Sequence, residues 1–236
     1  MYKVALVAAM EREVRPLVKH WRAIDKDHSG RHFRFFEHED VVAVAGGIGP
    51  EAARRAAEAV IVLYSPQTLF SVGYAGGLSS ELKVGDVFRP ARVIDAADCS
   101  SVLIAGGEGV LVSSATVVGA SQKAKLREAF QAHAVDMEAA AVARAAQARG
   151  VEFFVVKAVS DEFDFELPST ERFVDADGHF REAGFALFVA IRPWLWPRMM
   201  RLARNGNCAT RALCDELRRI VGERRSSKVL NAVDRQ

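Results

Sequence analysis

Apolar and polar positions alternate along the first two-thirds of the chain with two different periods in turn. Short apolar runs rich in β-branched residues are typical of buried strands, and longer Ala-rich stretches are typical of helices. The predicted strands or extended segments are residues 3–9, 33–37, 41–45, 68–72, 84–94, 110–113, 134–135 and 152–159, and the predicted helices begin at Glu11 and span residues 50–64, 121–130 and 137–149. Because strands alternate with helices, the pattern predicts a mostly parallel sheet flanked by helices.

The last third of the chain has a helical pattern from residue 170 onward. Breaks are predicted at Pro193, at Pro197 and around Asn205-Gly206. Since no linker separates this part from the rest, we expect a single α/β domain. Residues 1–162 would form its core, and residues 163–236 would form a helical segment that completes or decorates it.

An apolar run from Ala183 to Ile191 is followed by two tryptophans and several arginines. The run is too short to span a bilayer. Basic residues beside tryptophans fit a helix that lies on a lipid surface. They also fit a helix that covers the core or a partner subunit with its arginines in water, and this second interpretation is favoured.

Composition narrows the function classes. The chain has 236 residues, half of them hydrophobic, and a formal net charge of +2, which is too small to indicate a nucleic-acid partner. Its three cysteines are scattered without metal-ligand spacing, so free thiols in a reducing compartment are expected. The N-terminal residues lack the pattern of a secretion signal. We expect a cytoplasmic protein with no metal site.

Acidic residues follow two of the predicted strands. Asp161 ends the very apolar strand 152–159, and Asp136 and Glu138 follow the short strand 134–135. Ligands of α/β proteins usually meet the chain at the carboxyl ends of strands, so carboxylates from both places are expected to converge on one small molecule. Asp161 could equally cap a helix. For Asp136 and Glu138 we expect one to point into the site and the other away, since residues two apart do not share a helix face.

Glycine-rich turns follow two other strands. Gly47-Ile48-Gly49-Pro50-Glu51-Ala52 fits the form of a dinucleotide fingerprint, but the next strand ends without the acid that would hold a ribose. NAD binding is therefore disfavoured, and a tight turn near an anionic or ribosyl ligand or a purely structural turn remains. Residues 73–77 could let backbone N–H groups approach a ligand or could simply turn the chain. Glu13, just after the first strand, could point into the same crevice or only favour the helix dipole.

Five segments in this order resemble the nucleoside phosphorylase/nucleosidase superfamily, and their closest match is to the methylthioadenosine/S-adenosylhomocysteine nucleosidases. The segments are Ala9-Met10-Glu11-Arg12-Glu13, Gly46-Gly47-Ile48-Gly49-Pro50, Val72-Gly73-Tyr74-Ala75-Gly76-Gly77, Val135-Asp136-Met137-Glu138-Ala139 and Val156-Lys157-Ala158-Val159-Ser160-Asp161. The resemblance implies a three-layer α/β/α domain with a mixed central sheet. It also implies no cofactor and a homodimer.

The chain departs from those nucleosidases in three places. Tyr74 replaces a serine, the stretch between Asp86 and Val135 is shorter, and the part after Phe163 differs. That part contains residues 175–178 and Leu202-Ala203-Arg204-Asn205, which look like segments of the hopanoid-associated phosphorylases. That group is thought to remove adenine from adenosylhopane.

The resemblance implies cleavage of the N-ribosyl bond of a purine nucleoside, with adenine as the expected base. Asp161 would be the general acid that protonates purine N7, with Ser160 orienting it and burial raising its pKa. Glu138 would accept hydrogen bonds from the ribose hydroxyls, Met137 would pack on the sugar, and Glu13 would activate the attacking water. The other positions that the resemblance places around the substrate are Ala9, Ile48, Tyr74, Gly76, Val117 and Val118.

The nucleophile stays open between water and phosphate. Phosphorylases of this superfamily hold phosphate with an arginine at the position of Ser71 and a serine at that of Tyr74, and a dianion without a fixed cation is poorly held. Hydrolysis is therefore favoured over phosphorolysis. If phosphate is used, the candidates to hold it are Arg31, Arg34 and Gly49. A non-catalytic nucleoside-binding protein is the other alternative, which the presence of all three acids disfavours.

Overall fold

The computed structural model describes residues 2–165, residue 173 and residues 192–233, the last stretch with side chains as far as residue 222 and without that of residue 193. Eleven strands form one sheet in the order β2-β3-β4-β1-β5-β10-β9-β7-β8, with β11 paired to β5 and β6 paired to β11. The strands are β1 Val4–Ala8, β2 Arg22–His28, β3 Arg31–His38, β4 Val41–Ala45, β5 Thr68–Gly77, β6 Val87–Phe88, β7 Arg92–Asp95, β8 Ser101–Leu103, β9 Val110–Ser113, β10 Ala134–Asp136 and β11 Glu152–Asp161.

The helices lie on both faces of this sheet. They are α1 Glu11–Val18, α2 Pro50–Tyr64, α3 Ala120–Phe130, α4 Ala139–Ala148 and α5 Trp196–Val233, the last preceded by a short 3-10 helix at Pro193–Leu195. Residues of α2 and α4 pack with Leu69 of β5 in one apolar cluster. Residues of α1 and α5 pack with Phe70 and Val72 in another. Alternate residues of one strand therefore enter opposite layers, as the period of two requires.

The predicted fold class is confirmed, namely a three-layer α/β domain with a mixed sheet and a helix at its C-terminal end. The sheet is less parallel than the alternation of elements predicted. Five of the strand pairings in the described residues are parallel and five are antiparallel. Strand β2 was not predicted, because it is largely exposed at the sheet edge and carries no apolar alternation.

The glycine-rich stretch 73–77 was predicted to end the fifth strand, and this prediction is wrong. β5 continues through it to Gly77, because the glycines pair on both sides of the strand. Gly73 to Gly76 pair with β11, and Gly76 and Gly77 also pair antiparallel with Val135 and Ala134 of β10. β5 is therefore the central strand to which the other strands of the site are attached.

The predicted breaks at Pro197 and around Asn205-Gly206 are also wrong, since α5 runs through both. Pro197 lies in the first turn of the helix, where a missing N–H costs nothing. Gly206 lies over β5, and its carbonyl accepts a hydrogen bond from the Tyr74 hydroxyl at 3.2 Å. Residues Ala209, Leu213 and Leu217 then bury one face of α5 against the sheet.

Two features of the last third lie outside the described residues, namely the apolar run Ala183–Ile191 and the acidic segment 175–178. Trp194 and Trp196 are exposed at the start of α5. Of the helices that the structure describes, none combines the length and apolarity needed to cross a membrane. The division of the domain at residue 162 stays a prediction.

Candidate active site

Glu13 lies at the carboxyl end of β1, in the first turn of α1, and is 2 % exposed. Its Oε2 accepts hydrogen bonds from the backbone N–H groups of Ala9, at 3.1 Å, and Met10, at 3.0 Å. Burial raises the pKa of this carboxyl, an effect that the bond from Met10 and the charge of Lys157 partly oppose. The carboxylate thus closes the strand-to-helix turn and points into the crevice, so both interpretations of its position apply together.

The approach of Glu13 to β5 requires a glycine at position 73. A Cβ atom on Gly73 would lie 3.0 Å from Oε2 of Glu13, and the residue has a φ of +139°. A contact of 3.0 Å is tighter than most real Cβ contacts, so the Glu13 carboxylate would have to move, and the backbone conformation is one that side chains rarely adopt. The glycine therefore makes room for a carboxylate beside β5.

Glu138 lies just before the first residue of α4 and is buried near Lys157 and Glu13. Its Oε1 accepts a hydrogen bond of 3.0 Å from the N–H of Gly49, and its Oε2 one of 3.3 Å from the N–H of Met137. Burial raises its pKa to about 7, although the charge of Lys157 opposes this. The turn at Gly49 and the acid at Glu138 are thereby joined, although they are far apart in the sequence.

Of Asp136 and Glu138, one was expected to point into the site and the other away, and the structure buries both of them. Both precede α4, so the spacing rule for helix faces does not apply to them. Asp136 Oδ1 accepts a hydrogen bond from the Ser113 hydroxyl at 2.5 Å, and Oδ2 lies 2.8 Å from Nζ of Lys157. Asp136 is a buried ion-pair partner of Lys157, the lysine that also lies 3.9 Å from Glu138.

Lys157 is the main site residue that sequence reasoning missed. It stands in the middle of β11 and is 1 % exposed, with Nζ 2.8 Å from Asp136 and 3.9 Å from Glu138. Burial by itself would lower its pKa, but Asp136, Glu138 and Glu13 together raise it. A lysine inside an otherwise apolar strand was the available signal, because such a residue needs buried partners of opposite charge.

Asp161 occupies the end of β11, where the register with β5 shifts between Val159 and Asp161. The extra residue, Ser160, forms a β-bulge, and bulges commonly redirect a side chain beside a site. Asp161 consequently pairs with Gly76 and is 4 % exposed. Its Oδ1 accepts a hydrogen bond of 2.7 Å from the Ser160 hydroxyl, which is the contact expected of Ser160.

Asp161 has a second partner that the sequence did not indicate. Nζ of Lys123, from α3, donates to Oδ2 of Asp161 and to the carbonyl of Glu162 at 2.7 Å. Lys123 is 2 % exposed. Its segment, Ser-Gln-Lys-Ala-Lys, has the composition of a solvated helix turn, so no local signal distinguished this lysine from Lys125.

The remaining residues predicted to contact the substrate differ in their exposure. Ala9 and Val118 are buried, whereas Ile48, Met137 and Val117 are partly exposed. Tyr74 points toward α5, where its hydroxyl lies 2.6 Å from the Thr210 hydroxyl. The roles of these residues toward a ligand stay predictions.

The three candidates for holding phosphate are all engaged in other contacts. Arg31 donates to the Gly46 carbonyl at 3.0 Å, and the N–H of Gly49 is bound by Glu138. Arg34 is exposed and pairs with Asp25 of β2 at 2.9 Å. Ser71 is fully buried in β5, and its hydroxyl has no hydrogen-bond partner among the described residues. Among the residues that the structure describes, the arrangement thus offers acids at both ends of the crevice and no cation set aside for a dianion.

The site contains two groups of charged residues, and each group includes one residue of β11. Lys157 and the acids around it lie at one end, and Asp161 with Lys123 lies four residues further on. Because Ser160 is the extra residue of the bulge, Lys157 and Asp161 pair with Gly73 and Gly76 of β5, and those three steps span about 10 Å, which is the scale of a nucleoside. The site can therefore hold hydroxyl groups by carboxylates at one end while offering a proton at the other.

Comparison with known proteins agrees with this arrangement. The family model for the phosphorylase superfamily matches residues 3–104 and 96–191. The chain is 26% identical over 208 residues to aminodeoxyfutalosine nucleosidase of Campylobacter jejuni, covering 70% of this chain and 91% of that protein. It is 27% identical over 196 residues to 5′-methylthioadenosine/S-adenosylhomocysteine nucleosidase of Staphylococcus epidermidis, covering 67% and 86%.

Solved structures show the same fold. A methylthioadenosine/S-adenosylhomocysteine nucleosidase from Colwellia psychrerythraea, in complex with adenine, superposes with a TM-score of 0.61 at 25% identity, over 69% of this chain and 85% of that one. Futalosine hydrolase of Helicobacter pylori reaches a TM-score of 0.71 at 19% identity, over 94% and 98%. Since the family model spans most of the sequence, including every acid of the site, this chain belongs to the phosphorylase superfamily.

Proposed function

We propose that this protein hydrolyses the N-ribosyl bond of a 5′-modified adenine nucleoside and releases free adenine. It is an enzyme of N-glycosidic bond cleavage, as its nucleosidase relatives are. The proposal adds the base, the nucleophile and the roles of the residues. One observation carries it: Asp161 is buried at a bulge at one end of the crevice, and Glu13 and Glu138 are buried at the other.

Cleavage of an N-ribosyl bond separates positive charge on the sugar from negative charge on the base. Asp161 meets the base and passes a proton to N7, so that the purine leaves without a negative charge. Its geometry supports this role, because the Ser160 hydroxyl fixes Oδ1 and leaves the carboxyl group in one orientation. The buried setting strengthens any charge interaction made there.

The other end of the crevice serves the sugar and the nucleophile. Glu138 accepts hydrogen bonds from the ribose hydroxyls, and the N–H of Gly49 holds its Oε1 in place for this. Glu13 takes the proton of the attacking water, since its raised pKa makes it a better base than an exposed glutamate. Lys157 balances the charge of both acids.

Water is proposed as the nucleophile because no free cation faces the crevice in the described residues. Release of adenine should proceed at the same rate with and without phosphate, and the sugar product should be the free 5′-substituted ribose. The measurement is product analysis after incubation with methylthioadenosine, S-adenosylhomocysteine or adenosylhopane, in phosphate and in a phosphate-free buffer. If ribose 1-phosphate dominates, the protein is a phosphorylase and Arg31 and Arg34 become the residues to substitute.

Glu138→Gln should weaken ribose binding and turnover together. A carboxylate accepts hydroxyl hydrogen bonds more strongly than an amide does, and such a bond contributes about 1.5–3 kcal/mol. The 2′-deoxy substrate should lose less activity on this substitution than the ribonucleoside does. Equal losses for both substrates would remove the 2′-hydroxyl from the contacts of Glu138.

The same variant has a pH signature. Because burial raises the pKa of Glu138 to about 7 and the ionised form binds the ribose, kcat/KM should rise as the pH increases through 7. This limb should be absent from Glu138→Gln and present in Glu81→Gln, which changes an exposed glutamate. A limb that persists in Glu138→Gln belongs to another group.

Homodimer formation, a cytoplasmic location and a weak contact with membrane surfaces stay predictions. The 5′ substituent is the other open feature of the substrate. The relatives named above act on different 5′-modified nucleosides, and the proposal for this chain extends to the class and not to one member of it.

A further inference from the structure

A buried lysine contacts the proposed acid from a separate element. Lys123 is 2 % exposed in a helix whose neighbouring residues Gln122 and Lys125 face water. Its ammonium donates to Oδ2 of Asp161 and to the Glu162 carbonyl. An ammonium is costly to bury unless acceptors surround it, so this helix is placed to bring its charge to Asp161.

The strand beside the pair is shaped to admit it. A Cβ atom on Gly76 would lie 2.9 Å from Oδ2 of Asp161 and 3.4 Å from Nζ of Lys123. The bulge at Ser160 places Asp161 opposite this glycine. The contact between the two charges therefore depends on features of α3, β5 and β11 together.

We propose that Lys123 supplies the proton that Asp161 passes to the leaving base. The general acid of this enzyme is then the Lys123–Asp161 pair, in which Lys123 positions the Asp161 carboxyl group and provides the proton. This inference rests on the proposed function. It differs from the expectation that Asp161 alone stores the proton, because the Lys123 ammonium donates directly to Oδ2 of Asp161 and can supply one.

The proton balance of the step is complete. When the C1′–N9 bond breaks, its electron pair stays with the base, N7 receives a proton from Asp161, and the Lys123 ammonium passes one of its own protons to Asp161. The pair ends as a neutral amine and a carboxylate, and the base leaves neutral. The water that bonds to C1′ gives its proton to Glu13, and exchange with solvent then returns the proton to Lys123.

A path for that exchange exists beside the lysine. Lys123 lines a surface cleft of about 380 Å³, together with Leu78, Arg127 and Phe163 among others. In the proposal, solvent in this cleft returns the proton to Lys123 while the product is still bound.

The groups that face the pair come from four elements. Ser160 and the Glu162 carbonyl contact it from β11 and the following loop. The Glu162 carboxylate lies 3.6 Å from Arg201 of α5, which offsets its charge. Arg127 of α3 lines the cleft, and β5 contributes the uncharged Gly76. No other charge in this surrounding is buried against Asp161 among the described residues.

The test compares Lys123→Met with Lys125→Met, which removes an exposed lysine from the same helix. Removal of Lys123 should lower kcat by at least about tenfold, within the range usual for general acids. It should also move the alkaline limb of the rate profile to lower pH by about 1 pH unit or more, because Asp161 must then retain a proton without a donor behind it. Lys125→Met should change neither quantity.

Chemical rescue provides a second readout. In Lys123→Ala, methylammonium added through the cleft should restore part of kcat, whereas tetramethylammonium, which carries charge but no proton, should not. Thermal melting checks that each variant is folded, and Lys123→Gln replaces the Met variant if that one does not fold.

The results separate the two proposals. An alkaline limb that moves to higher pH in Lys123→Met would overturn the inference, because Asp161 would then be the sole store of the proton and the lysine would only draw it away. Rescue by tetramethylammonium, or unchanged kinetics in Lys123→Met, would also overturn it while leaving the proposed function intact. A wild-type protein that releases no base from any of the three nucleosides would refute both.

Discussion

Replacement of Asp161 by asparagine should abolish measurable release of adenine while the protein stays folded. Asparagine has nearly the same shape and can still bond the Ser160 hydroxyl, but it cannot transfer a proton to purine N7. Loss of a general acid lowers rates by about 10²–10⁴-fold. The loss should appear in kcat, since the proton is needed only as the bond breaks.

The measurement is the single-turnover rate of adenine release, followed by chromatography. Asp164→Asn is the matched control, because Asp164 is an exposed aspartate three residues further on and should keep full activity. The Asp161→Asn variant leaves the ammonium of Lys123 without its carboxylate, so its melting temperature should fall although the fold persists. Turnover within tenfold of the parent protein would remove Asp161 from the acid role.

Much of this site follows from where acids stand relative to strands. Glu13 and Asp161 follow β1 and β11, which both run parallel to β5, and the carboxyl ends of parallel strands meet at one edge of a sheet. That rule needs only the order of elements, which the apolar pattern supplies. Glu138 follows β10, which is antiparallel to β5, so its place in the site depends on a pairing that the rule does not give. The roles of all three acids still await kinetic tests.

The cations of the site could not be predicted in the same way. Lys123 is recognisable only when burial is known, because its helix turn is as polar as that of an exposed lysine. Lys157 could have been suspected from its apolar strand, but the acids that pair with it could not be identified from that strand. One of Asp136 and Glu138 was expected to point away from the site, yet Asp136 is buried against Ser113 and Lys157, which come from distant parts of the chain. Tertiary contacts decide whether such charged residues are buried, and the local periodicity of the sequence carries no information about those contacts.

The strand through Gly73 and the helix through Gly206 show the same limit for the fold. Glycine usually marks a turn or a helix end, but Gly73 lies inside a strand, where it leaves room for Glu13, and Gly206 lies inside α5, where its carbonyl accepts a hydrogen bond from Tyr74. When a neighbouring side chain occupies the space where a Cβ atom would lie, a glycine can stand inside a strand without marking a turn. Only the packed structure identifies that neighbour.

Replacement of Lys157 by methionine should cause the largest loss of stability among these substitutions. Methionine has a similar length but no charge, so Asp136, Glu138 and Glu13 would remain buried without their common cation. Removal of one partner of a buried ion pair costs about 3–5 kcal/mol in the free energy of unfolding. Urea denaturation measures this directly, with Lys125→Met as the exposed-lysine control and Lys157→Arg as the variant that keeps the charge.

The loss should depend on pH in a defined direction. Burial already raises the pKa of Glu138 from an ordinary value of 4.5 to about 7, and removal of Lys157 should raise it further. A carboxyl with a raised pKa binds its proton more tightly in the folded state, so its favourable contribution to stability is present below pH 4.5 and is lost as the pH rises through the folded-state value. The methionine variant should therefore be far less stable than the parent protein at pH 8 and closer to it at pH 5.5. Equal losses at both values would mean that the carboxylates do not take up protons. A loss below about 1 kcal/mol at pH 8 would mean that Lys157 does not neutralise them, because an uncompensated buried charge costs several times that amount.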